Sequence, residues 1–68
     1  MVSKIITFVG ESPVSWEEAT TNLIKEAQTS LSGITRIRVI EFDVRMENEQ
    51  VSTFRVKAEV AFKVEVKK

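Results

Sequence analysis

The sequence predicts an α+β fold with the element order β-α-β-β, a three-stranded antiparallel sheet wrapped around one helix. Three observations predict it. One apolar stripe of helical period runs between a capping signal at Ser15 and a glycine at Gly33. From Phe54 to Val66 every even residue is apolar and every odd one except Ala61 is polar, the alternation of a long strand with one buried face. The remaining apolar runs, Ser3–Val9 and Ile34–Met46, are short, β-branched and lack helical period.

The elements follow in order. Ser3 to Val9 (SKIITFV) reads as the first strand, ended by Gly10, and Gly10 to Val14 reads as a loop containing Pro13. Ser15-Trp16-Glu17-Glu18 is a capping box, with Ser15 as N-cap and Glu18 three residues on. The two acids also suit the positive end of the helix dipole. Trp16, Ala19, Leu23, Ile24, Ala27 and Leu31 then form the apolar stripe, and Gly33 is a natural stop, so the helix spans about Trp16 to Ser32.

The second strand covers Ile34 to Met46. Its apolar residues sit at odd positions through Ile37 and Val39, then at even ones through Ile40, Phe42, Val44 and Met46. A parity change within one strand predicts a β-bulge near Val39–Ile40. The turn falls in Glu47–Gln50. Matching apolar faces across the hairpin places Phe42 opposite Val56, Ile40 opposite Ala58 and Ile37 opposite Val60. The same register brings Asp43 beside Arg55, Glu41 beside Lys57 and Arg38 beside Glu59, three pairs of opposite charge that played no part in choosing it. Phe8, Phe42, Phe54 and Phe62 fall on the faces read as buried.

The chain has 68 residues and reads as one domain over 1–68. So short a chain is marginal alone and leans on disulfides, a metal or association. With no cysteine and no histidine, association is the expected support. Ten basic and ten acidic residues cancel, which argues against nucleic acid as a partner. No apolar run approaches the roughly 20 residues of a membrane span. The N-terminus does not read as a signal peptide, so the expected location is cytoplasmic.

Catalysis finds little support. There is no histidine base, no thiol and no glycine-rich phosphate loop. The acids of the hairpin alternate with bases, as in exposed cross-strand ion pairs, although Glu41, Asp43, Glu47 and Glu49 are also candidates for a loose Ca²⁺ or Mg²⁺ site. Trp16 reads as a packing anchor at the helix start. Arg36, Arg38, Arg45 and Arg55 put four guanidiniums on one hairpin, able to receive a phosphate or carboxylate bidentately.

Gly10-Glu11-Ser12-Pro13-Val14-Ser15-Trp16-Glu17-Glu18-Ala19 resembles the signature of the dodecin family, G-x-S-P-x-S-W-E-x-A. Arg38-Val39-Ile40-Glu41 and Val56-Lys57-Ala58-Glu59-Val60-Ala61-Phe62 are similar to that family's second and third strands, so the resemblance covers essentially the whole chain. It implies a hollow homododecameric shell and a non-enzymatic role in binding or storing flavin, FMN or riboflavin. The family's flavins lie at two-fold contacts, where a Trp stacks on the ring and a Gln bonds its polar edge. Those positions fall on Arg36 and Arg55 here. An Arg stacks less area and lacks an acceptor for the imide N–H. Two Arg36 side chains meeting at a two-fold also repel each other unless an anion lies between them. The expectation is therefore a shell with flavin binding weakened or lost, its site at Arg36, Arg55 and Arg45 taking an anionic ligand. The alternative is a structural or calcium-binding shell without an organic ligand.

Overall fold

The computed structural model describes residues 2–64. β1 (Val2–Ser12) is followed by α1 (Trp16–Ser30), β2 (Ile34–Glu47) and β3 (Gln50–Val64). The strands form one antiparallel sheet in the order β1-β3-β2, so β3 is central and both edges are open. The predicted α+β order and its three antiparallel strands are what the molecule has.

The start of α1 is fixed by a short polar relay. Ser15 is the N-cap, and its hydroxyl accepts a hydrogen bond from the Glu18 backbone N–H at 3.0 Å. The other half of a capping box would return the Glu18 carboxylate to the Ser15 backbone N–H. Here Ser12 stands between them. Its hydroxyl donates to Glu18 Oε1 at 3.0 Å and accepts from the backbone N–H of Val14 at 3.0 Å and of Ser15 at 3.5 Å. Ser12 is buried, and these bonds satisfy it. The helix ends at Ser30, two residues before the expected Ser32. Leu31 is its extended C-cap, donating to the Ala27 carbonyl at 2.8 Å, and Gly33 then turns the chain with φ +73°.

β1 is longer than its β-branched and aromatic run indicated. Gly10, Glu11 and Ser12 continue the strand, paired with Val56, Arg55 and Phe54, where a loop was expected. Gly10 faces the helix at the closest approach of the two elements. A Cβ there would lie 2.2 Å from the Ala19 carbonyl oxygen, so the position admits no side chain without displacing α1. β3 likewise begins at Gln50, earlier than the expected Phe54; Val66, assigned to this strand, lies outside the described residues.

The hairpin turns on Asn48 and Glu49, both with positive φ (49° and 61°), as a two-residue turn between twisted strands requires. Register shifts fall between Ile34 and Arg36, Val39 and Glu41, and Arg45 and Met46. The middle one is the bulge expected near Val39–Ile40. It places Val39, rather than Ile40, opposite Ala58, because Ile40 is the extra residue. The pairs Phe42–Val56, Ile37–Val60, Asp43–Arg55, Glu41–Lys57 and Arg38–Glu59 are as predicted.

The core is small. Ala19, Leu23 and Ala27 of α1 meet Val56, Ala58 and Val60 of β3, with Phe8, Leu31, Ile34, Ile37 and Val39 packed around them. Burying Leu23 contributes roughly 1.5–3 kcal/mol. Three alanines at the contact let the helix lie close to the central strand. Phe42, expected in this core, is instead 59% exposed, because α1 begins beside it and only the edge of the Trp16 ring reaches it.

Candidate functional site

Two faces of the sheet differ in chemistry. From Phe54 to Val60 the even residues of β3 point at α1 and the odd residues point away. The face turned away from the helix carries the charges. Across its three strands run the rows Glu11–Arg55–Asp43, Val9–Lys57–Glu41, Thr7–Glu59–Arg38 and Ile5–Ala61–Arg36.

The first row is an acid-base-acid sandwich. Arg55 Nε lies 3.9 Å from Glu11 Oε1 and 3.9 Å from Asp43 Oδ1. All three side chains are about half exposed, so each pair contributes at most about 0.2–1 kcal/mol. Sequence reasoning paired Arg55 with Asp43 but missed Glu11, having read residues 10–14 as a loop. The missed signal is Pro13, which biases the preceding Ser12 toward extended backbone.

Arg45 pairs with Glu47 along its own strand at 3.8 Å. Arg36 stands opposite Ala61 and forms no ion pair among the described residues. It borders a shallow depression of about 110 Å³ lined by Ile5, Arg36, Arg38, Glu59 and Ala61. Thus Arg45 and Arg55 are diagonal neighbours, whereas Arg36 lies about 20 Å away, six residues along β3 at roughly 3.3 Å each. One chain does not bring the three arginines into one pocket.

The acidic candidates behave similarly. Glu41, Asp43 and Glu47 alternate along β2, and Glu49 sits in the turn. No group of three His, Cys, Asp or Glu side chains among the described residues is placed to hold a metal ion. An open groove beside the first turns of α1 is lined by Ser15, Glu17, Glu18, Thr21, Asn22 and Lys25, without a nucleophile–base pair.

Trp16 is held on two sides. Its ring meets Phe54 edge-on at 5.2 Å and Phe42 at 6.2 Å. Its indole N–H donates to the Asp43 carbonyl at 3.1 Å. Such ring pairs are each worth about 0.5–1.5 kcal/mol beyond their area. This is the anchoring role expected of Trp16, and it fixes the helix start to the strand that bears Asp43.

These features define a class: a small sheet-and-helix subunit with a charged outer face and open sheet edges. No helix among the described residues is long and apolar enough to cross a membrane. The Dodecin family model matches residues 2–65, and the chain belongs to the dodecin family. It is 40% identical over 63 residues to the calcium dodecin of Mycobacterium tuberculosis, covering 93% of this chain and 89% of that one. The crystal structure of a calcium-chelating antigen of that organism, described as having a novel calcium-binding site, superposes with a TM-score of 0.85 at 38% identity, covering 96% of this chain and 93% of that one. A dodecin from Streptomyces davaonensis shares the fold, with a TM-score of 0.88 at 23% identity over 96% of each chain. Membership of the family carries homo-oligomeric assembly with it. None of these relatives is named for a catalytic activity.

Proposed function

We propose that this protein is a non-enzymatic, homododecameric shell that binds a divalent cation, calcium foremost, rather than a flavin. The observation that carries this is its 40% identity to a calcium dodecin over nearly its whole length. Chemistry supports it in two ways. Calcium takes six to eight oxygen ligands. The carboxylates that could supply them are exposed on the hairpin but not gathered within one chain, as expected of a site completed between copies. At the two flavin-contacting positions the side chains are Arg36 and Arg55, which stack and accept poorly. The cysteine-free composition fits a cytoplasmic location.

A second reading rests on Arg36. It has no carboxylate partner among the described residues and stands beside Ile5 and Ala61, an arrangement suited to an anionic ligand. Arg45 and Arg55 join that site if a second copy brings them near.

Calorimetric titration of chelator-treated protein with CaCl₂, alongside flavin-fluorescence quenching with FMN and riboflavin, separates the readings. Calcium binding with unquenched flavin supports the cation shell. FMN quenching stronger than that of riboflavin and weakened by salt, without a calcium heat, overturns it in favour of the anion site.

A further inference from the structure

The charges of the outer face are unevenly spread. Of its four rows, Val9–Lys57–Glu41 and Thr7–Glu59–Arg38 each hold one acid and one base. The row Ile5–Ala61–Arg36 holds a base alone, and Glu11–Arg55–Asp43 holds one base between two acids. Asp43 already balances Arg55 across the hairpin, so Glu11 is the surplus acid.

The backbone of Glu11 is held from several sides. Asn22 Nδ2 donates to the Glu11 carbonyl at 3.0 Å. Gly10 before it lies against Ala19, and Ser12 after it is buried in the hydrogen bonds of the helix start. A carboxylate presented from a fixed backbone loses less freedom in holding a partner than one on a loose segment.

We infer that Glu11 is a positioning residue that, with Asp43, withholds Arg55 from anionic ligands and so sets this end of the outer face against phosphate-bearing compounds. The inference rests on the reading of the shell as one that takes a cation rather than a flavin, and deepens it by naming the residue that turns the anion away. An arginine captures phosphate side-on through Nε and one Nη. Arg55 Nε is the atom that lies 3.9 Å from both Glu11 Oε1 and Asp43 Oδ1, so that edge of the fork is taken. An anion that binds there displaces one carboxylate or sits beside two, and like charges a few ångströms apart repel. Arg55 and Lys57 share a hollow of about 130 Å³ with Glu41 and Asp43, so its two bases are matched by two acids before Glu11 is counted. With Glu11 the surroundings of the hollow are net negative.

The test is equilibrium dialysis of FMN and riboflavin, at low and high salt, against wild type, Glu11→Gln, Asp43→Asn and the double variant Glu11→Gln/Arg55→Gln. Riboflavin has the same ring without the phosphate, so the ratio of the two affinities reads charge selectivity, which a merely structural role leaves unmoved. Circular dichroism checks the fold of each variant. Should Glu11→Gln fail to fold, Asp43→Asn decides, because it removes the other carboxylate and keeps the carbonyl that accepts from Trp16. The expected result is that either single substitution tightens FMN over riboflavin about two- to fivefold at low salt, the worth of one exposed ion pair. The gain shrinks near ~1 M salt and vanishes when Arg55 is replaced as well. An unchanged ratio, or a gain that persists without Arg55, overturns this inference alone. A gain as expected, with no calcium heat from the wild type, overturns the cation reading and leaves the role of Glu11 standing.

Discussion

Val56 and Phe42 are cross-strand partners on the same face of the sheet, yet Val56 is fully buried and Phe42 is 59% exposed. The middle of the sheet and its hairpin end use the same apolar alternation. They differ in what lies above. In the middle, Ala19, Leu23 and Ala27 come down onto Val56, Ala58 and Val60. At the hairpin end the helix has not yet begun, and only the edge of Trp16 reaches over. A strand pattern marks which face is apolar. Whether that face is core or contact surface depends on the length and placement of the covering element.

Substitutions test how sharp this boundary is. Because association adds to apparent stability, each comparison is made at one protein concentration. The largest effect is expected at Gly10, where any Cβ meets the Ala19 carbonyl. Gly10→Val should lift α1 from the sheet at roughly 3 kcal/mol or more, enough to abolish a cooperative urea transition. A normal transition would show that the helix docks less tightly than the geometry states. Leu23→Ala should cost about 2–5 kcal/mol, read from the denaturation midpoint. If it cost no more than Val51→Ala, the middle and the hairpin end would not differ as described.

Smaller effects are expected where Trp16 joins the two regions and on the outer face. Trp16→Phe keeps a ring but removes the hydrogen bond to the Asp43 carbonyl, an expected loss of about 1 kcal/mol. A loss above roughly 3 kcal/mol would place Trp16 in the core proper. Arg55→Gln breaks the pairs with Glu11 and Asp43, a loss of about 0.2–1 kcal/mol at low salt. That loss should shrink toward zero near ~1 M salt, where screening acts over ~3 Å. A salt-independent loss would mean that Arg55 is buried against another copy.

Much of this fold was legible before any coordinates. The alternation from Phe54 onward, the parity change at Val39–Ile40 and the cap at Ser15 are local signals, and each marks its element where the structure has it. Three opposite-charge pairs fell out of a register chosen on apolar residues alone. Element ends were less legible. Gly10–Ser12 read as loop because glycine and proline punctuate sequence, whereas here Gly10 serves a close helix approach and Pro13 keeps Ser12 extended. The candidate site was legible as residue types but not as a place.

By itself the sequence determined the element order, the hairpin register on either side of the bulge and the expectation of association, because periodicity, capping and charge pairing act between residues close in the chain or locked in a ladder. Only the tertiary structure decided that Glu11 shares Arg55 with Asp43, that the Trp16 N–H reaches a carbonyl 27 residues away, that Arg36 lies far from Arg55, and that Phe42 is left bare. These depend on where α1 settles on a twisted, bulged sheet and on how far it reaches. No local pattern encodes that distance, because it follows from the packing of the whole chain.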